Sequence, residues 1–281
     1  MVNFNGYLYE DEHKFLNQNN RGLRYGDSLF EAIRVVNGHI YFLEEHYLRL
    51  MSSMRILRME IPMHFTMEFF EEEIKKTVEA NKLGNAQRIR FTVFRNDGGL
   101  YLPKSNDISY LIEAKELENP FYTINDQPYE IELFKDFFVN PDMLSNLKTN
   151  NKILNVVGSV FANENDYDNC LLLNQQKQVV EALNGNIFVV KGNTIKTPSL
   201  KEGCLNGIVR KKLIGILEKN EDYNFLEESI SPFELQKSDE IFLTNTIQGI
   251  IPVTKYRKKV FNNNVAKNLV GKLNAVARIT A

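Results

Sequence analysis

Apolar side chains between residues 29 and 57 change their spacing once, and the change separates two kinds of element. Residues 29–36 and 39–43 are apolar runs flanking Asn37-Gly38, a pair that tolerates positive φ, so the stretch predicts a β-hairpin. From 44 to 58 the positions Tyr47, Leu50, Met51, Met54 and Leu57 recur at three and four. That period predicts an amphipathic helix on which His46 and Arg49 share a face. Pro62 interrupts it, and a second helix carrying Phe70, Ile74 and Val78 stops near Leu83-Gly84. Residues 87–94 alternate, with Ile89, Phe91 and Val93 on one side and Arg88, Arg90 and Thr92 on the other, which predicts a half-buried strand. A loop over 95–102 and a strand over 108–113 follow. Upstream, residues 1–10 read as a strand with a turn at Asn5-Gly6, then a polar segment runs to Asn20.

Apolar periodicity lapses over 116–125, which contains Pro120, and a domain boundary is expected there. Beyond it, 129–134 reads as a strand. Ile153, Val156, Val157 and Val160 set a helical pattern, and 170–173 and 178–182 look like paired strands. Gly192-Asn193 joins two further apolar runs in a hairpin. Residues 203–220 begin as a small loop and become a helix with Asn206 as the expected N-cap. A strand over 239–244 ends in the turn Asn245-Thr246, and a helix over 265–278 closes the pattern.

Composition narrows the partners. Across 281 residues, 34 basic and 36 acidic side chains nearly cancel, which argues against a nucleic acid or an anionic membrane surface as partner. No stretch has the length and apolarity of a signal segment or membrane span. The two cysteines, Cys170 and Cys204, form no CxxC pair and suit a reducing cytoplasm. There is no GxxxxGK[ST] loop and no HExxH, and the four histidines fit no ligand spacing, so no metal is expected.

The candidate chemistry centres on Lys148, which stands where the run IELFKDFFVN hands over to the helical pattern after it. A lysine partly desolvated at such a junction loses its proton readily and can attack a carbonyl to form a Schiff base. Gly207 and Ile208 open a helix whose free N–H groups suit an anion, and Asn245 and Thr246 would add turn donors.

Six stretches, in order YGDSLFEAIRV, EEHYLRL, LKTNN, VVEALNGNIF, GCLNGIVR and LTNTIQGIIPV, resemble the class IV aminotransferases, the fold-type IV pyridoxal phosphate enzymes. The resemblance spans nearly the whole chain. It implies an α/β (α+β) fold of two domains, a smaller one over 1–118 and a larger one over 119–281 carrying the cofactor lysine, with the cofactor in the cleft between them. It implies a homodimer acting on amino acids and 2-oxo acids. By the same resemblance Lys148 bonds the cofactor and moves the proton, while Glu181 holds the pyridine nitrogen. Arg49, Gly207, Ile208, Asn245 and Thr246 bind the phosphate, and Leu205 packs on the ring.

The branches differ in detail. Branched-chain enzymes usually have Gly after FE and Tyr five residues beyond the lysine, where this chain has Ala32 and Ile153. The D-amino acid branch carries an arginine and histidine pair on the loop after the central strand, where this chain reads RNDGGLY after Arg95. Aminodeoxychorismate lyases are closer in that loop and at Asn245, yet commonly place Thr at the Ala32 position. Ala32 lacks that hydroxyl, which favours transamination, with branched-chain or similar amino acids as substrates. The alternative is a lyase expelling pyruvate to give 4-aminobenzoate. Tyr25, Ala32, Arg95 and Tyr101 are the substrate-side candidates. Arg95 or Tyr101 would grip the carboxylate, reaching from a partner subunit as this family's loops do.

Overall fold

The computed structural model describes residues 1–279. The chain forms two compact units: residues 1–121, 148–151 and 277–279, and residues 122–147 with 152–276. Lys148, expected in the C-terminal domain, therefore lies in a short return of the chain to the first unit.

The first unit is built on one antiparallel sheet. Its strands are β1 (Val2–Phe4), β2 (Tyr7–Tyr9), β3 (Ser28–Val36), β4 (His39–Ile40), β5 (Ala86–Arg95) and β6 (Ile108–Glu116), in the order β2-β1-β6-β5-β3-β4. A short helix α1 (Arg21–Tyr25) precedes β3; α2 (Leu43–Ile56) lies against β3 and α3 (Met67–Asn81) against β6. The expected strand over 39–43 is only two residues long. Phe42 takes a left-handed conformation (φ 58°) and caps α2, so the helix starts where the strand was expected to continue. On β5, Phe91 packs its ring against Phe70 of α3 at 4.6 Å, which fixes the side facing the helices. Alternation then puts Arg88, Arg90 and Thr92 on the opposite face. The β3–β5 register pairs Glu31 with Phe91 and Ala32 with Arg90, so Glu31 points to the helices while Phe30 and Ala32 share the face of Arg90.

The second unit holds two five-stranded sheets. One comprises β7 (Glu130–Val139), β8 (Asn169–Asn174), β9 (Val179–Ala182), β15 (Lys255–Tyr256) and β16 (Lys259–Val260), in the order β16-β15-β7-β8-β9. The other comprises β10 (Asn186–Lys191), β11 (Thr194–Thr197), β12 (Asn224–Glu227), β13 (Glu240–Asn245) and β14 (Gly249–Val253), in the order β12-β11-β10-β13-β14. Helix α4 (Ile153–Glu164) makes the crossover between the parallel strands β7 and β8; α5 (Ile208–Leu217), α6 (Pro232–Lys237) and α7 (Asn264–Ile279) follow. Leu133, Leu171 and Leu173 join Ile187, Val189, Ile241 and Leu243 in one core that draws on both sheets. Phe134, Cys170 and Leu172 face the other way and receive Leu154, Val157 and Phe161 of α4.

The α4 pattern is where apolar spacing misled. Ile153, Val156 and Val160 are 73%, 54% and 51% exposed, and the buried row is shifted by one residue. Gly158 lies on the buried side, where a Cβ would come 2.5 Å from Leu183. At α5 the N-cap is Gly207 and not Asn206, and no side chain caps the helix. The short elements β12, α6, β14, β15 and β16 lack a readable period.

Candidate active site

Lys148 is held by its backbone. Its carbonyl accepts from the N–H of Phe30 at 2.9 Å, the N–H of Asn150 donates to the Ser28 carbonyl at 3.0 Å, and Thr149 bridges to Leu29 as an antiparallel partner. The segment thus adds a short rung to β3. The side chain then stands beside the Phe30 ring, with Nζ 4.6 Å from the centroid.

A second cation shares that ring. Arg90 holds its guanidinium 3.8 Å from the Phe30 centroid, donates from Nη2 to Asn150 Oδ1 at 3.0 Å and from Nε to Thr92 Oγ1 at 3.3 Å. Glu113 is 4.0 Å away and itself 38% exposed on its side chain. Burial first, then the neighbouring charge of Arg88, pushes the Arg90 pKa down, against the pull of Glu113. Arginine stays charged regardless, so a partly desolvated cation meets the same ring as Lys148. The alternation of β5 placed Arg90 on a polar face, but only the strand register shows which residues share it. That signal existed in the sequence without its partner.

The substrate-side candidates separate. Ala32 is buried directly across from Arg90. Arg95 is 6% exposed, and its donors are engaged by Asp27 Oδ2, the Leu57 and Arg58 carbonyls and Asn106 Oδ1. Four of its five donors thus tie β5 to the end of α2 and its surroundings. Tyr101 is 88% exposed and its ring meets that of Tyr25 at 5.6 Å. Arg21 pins the loop of Tyr101 by donating to the Gly98, Leu100 and Tyr101 carbonyls.

On the helix side of β3, Glu31 gathers two partners. Arg49 donates from Nε at 2.8 Å and from Nη2 to the other oxygen, and His46 Nδ1 meets Glu31 at 2.6 Å. Burial drives the Glu31 pKa up, yet the charge of Arg49 and the hydrogen bonds from His46 and Arg49 prevail and hold it at about 2. Burial also pushes the His46 pKa down, outweighing Glu31. His46 Nε2 is buried without a hydrogen-bond partner. Two of the five Arg49 donors go to Glu31.

In the second unit, Glu181 Oε2 accepts from the Leu205 N–H at 2.9 Å. Lys152 is near enough for Glu181 to raise its pKa, although burial, the larger effect, lowers it. The Leu205 carbonyl accepts from Asn186 Nδ2 at 2.9 Å, and Gly207 turns back to donate to the same carbonyl at 2.8 Å. A Cβ on Gly207 would come 2.0 Å from Asn186 Oδ1, so the close approach requires glycine. With no side-chain cap, the first N–H groups of α5 have no acceptor within the helix. Thr244 pairs with Asn186 across β13 and β10, and its hydroxyl is buried without a partner on the face that meets Leu205. Asn245 instead folds its Oδ1 back onto the Ile247 and Gln248 N–H groups, shaping the turn, while the Thr246 carbonyl accepts from Tyr122 Oη. An uncapped helix start with an orphaned hydroxyl nearby is a donor set suited to a phosphate, and Glu181 has the chemistry to hold a pyridinium. The residues present fit pyridoxal phosphate. In the stretch LTNTIQGIIPV the more polar Asn245 masks Thr244 as a candidate.

Among the described residues no cluster of His, Cys, Asp and Glu could hold a metal, and no helix is long and apolar enough to cross a membrane.

Residues 28–256 match the family model for amino-transferase class IV, and the chain belongs to that family of transferases. It is 30% identical over 272 residues, 97% of this chain and 93% of the other, to a Methanocaldococcus jannaschii protein proposed as a branched-chain-amino-acid aminotransferase. It is 28% identical over 264 residues to the D-alanine aminotransferase of Bacillus licheniformis, covering 90% of this chain and 87% of that one. A branched-chain amino acid aminotransferase from the organism abbreviated T.th., solved in complex with N-(5'-phosphopyridoxyl)-L-glutamate, superposes with a TM-score of 0.86 at 26% identity over 99% of this chain and 94% of that one.

Proposed function

We propose that the chain uses pyridoxal 5'-phosphate to move an amino group between an amino acid, branched-chain or of similar size, and a 2-oxo acid. The observation that carries this reading is Lys148, its backbone locked to β3 and its amine set over the Phe30 ring that Arg90 also meets. The relatives' names and the phosphopyridoxyl complex of the branched-chain enzyme support it.

When bound, pyridoxal phosphate supplies a carbonyl for the incoming amine and a ring that draws electrons from the substrate's α-carbon. Lys148 would hold the cofactor and, as a positioned base and then an acid, would take and return the proton at the substrate's α-carbon. Glu181, oriented by the Leu205 N–H, holds the proton on the pyridine nitrogen. The first N–H groups of α5 at Ile208, the Thr244 hydroxyl and the turn at Asn245 and Thr246 hold the phosphate, with Arg49 supplying positive charge and Leu205 packing on the ring. Arg90 takes the role first given to Arg95 and receives the substrate carboxylate. Two copies form the working dimer, which would cover the apolar row of α4. The free, buried thiols of Cys170 and Cys204 support a reducing cytoplasmic setting.

The test is a panel of amino acids and 2-oxo acids with purified holoenzyme and with Lys148→Ala. Amino-group exchange is expected, reduced roughly a thousandfold or more in the variant. Formation of 4-aminobenzoate from aminodeoxychorismate without any 2-oxo acid would overturn the transaminase reading.

A further inference from the structure

The second unit contains a cleft of about 670 Å³ that the reaction above does not use. Its floor is Leu133 and Leu173, which belong to the core drawn from both sheets. Glu181 pairs with Leu172, which belongs to the separate cluster under α4, so cleft and cofactor residues occupy different faces of the same sheet. The size lies within the ordinary range for small-molecule sites, about 300 to 1,000 Å³.

The lining is chemically uneven. Lys135, Lys177 and Arg257 contribute three cations, and among the described residues no carboxylate lines the cleft. An adjoining hollow of about 380 Å³ adds Lys258 and Lys259. In a chain whose net charge is −2, this is a local concentration of positive potential. Glu132 pairs with Arg257 at 3.2 Å. Two of the cations also stand on backbone that favours Gly or Asn: Lys177 has φ 60° and Arg257 φ 56°. Each sits on the tight connection after its strand, and both line the cleft. The lining also includes two rings, Phe138 and Phe233, the latter 81% exposed on α6, and the side-chain amides of Gln176, Gln178 and Gln236.

Apolar floor, exposed rings, amides and several cations together match one ligand chemistry: a flat heteroaromatic base that stacks and hydrogen-bonds at its edge, joined to a multiply charged anion. We infer that this cleft binds a purine nucleoside diphosphate, with the base against Phe138 and Phe233 and the phosphates toward Lys135, Lys177 and Arg257. The site is separate from the transaminase reading and stands or falls without it.

The chain has no tryptophan, so Phe233→Trp in the holoenzyme places the sole indole at the cleft. Titration with ADP is expected to give a saturable emission change. Adenosine and inorganic phosphate, each supplying half of the recognition, should bind at least tenfold more weakly. Lys135→Gln with Lys177→Gln in the same background should weaken ADP at least tenfold and leave the transamination rate within twofold. Calorimetric titration of the unmodified holoenzyme guards against damage by the reporter itself. Absence of ADP binding there at millimolar concentration would overturn the inference, as would unchanged affinity in the lysine double variant or phosphate binding as tightly as ADP.

Discussion

Arg90 and Arg95 lie five positions apart on one strand and have opposite fates. Arg95 is consumed by Asp27, two carbonyls and Asn106, so its charge serves the fold. Arg90 rests on a ring beside Lys148, with its nearest carboxylate at 4.0 Å. Arg90→Gln should therefore raise the KM for the 2-oxo acid about tenfold or more, the cost of one charge-assisted contact, without moving the unfolding midpoint. Arg95→Gln should do the reverse, leaving KM alone and costing about 2 kcal/mol of stability, because Asp27 would lose one of its two cations and the Leu57 and Arg58 carbonyls their donors. Steady-state kinetics and urea unfolding on the same two preparations decide it. A KM effect confined to Arg95→Gln would reverse the assignment.

Among the elements, α4 shows how one helical period serves two masters. Leu154, Val157 and Phe161 form the row that packs on the sheet, and Ile153, Val156 and Val160 form a second row left at the surface. A row of this kind is unusual on a helix that faces only water. In the proposed dimer it seats the second copy. Val156→Glu should convert the dimer to monomer in sedimentation velocity at micromolar concentration, since a charge there would be buried without a partner. A dimer that persists would move the interface elsewhere. At α5 the decisive feature is the opposite of a helix-forming one: Gly207, by admitting Asn186 so closely, leaves the first turn uncapped for an anion.

For the molecule as a whole, acid is the informative perturbation. Glu31, buried in the first unit, has its pKa held at about 2, below the ordinary 4.5. A carboxyl depressed on folding contributes stability above its unfolded pKa, and that contribution is lost as pH falls from about 4.5 toward 2. His46, likewise depressed, resists protonation in the fold and begins to withdraw stability once pH drops below its unfolded value of 6.5. Unfolding free energy should accordingly decline in two stages below about pH 6.5. Glu31→Gln should flatten the lower one, as read from urea midpoints from about pH 7 to about pH 3. An unchanged lower stage would remove Glu31 as its source.

Much of this molecule was legible from residues in order. Period identified α2, α3 and α5; Asn37-Gly38 and Gly192-Asn193 located two hairpins; and the six motifs pointed to the class IV family that the comparisons show. These features rest on near neighbours along the chain, where steric preference and repeat length act directly. What the sequence left undecided involves partners distant in the chain. Whether Arg90 or Arg95 is taken up by the fold, which row of α4 is buried, and which unit holds Lys148 were decided by strand register and by the short rung on β3. Such pairings join residues many positions apart, and their free energy belongs to the assembled sheet rather than to any local stretch.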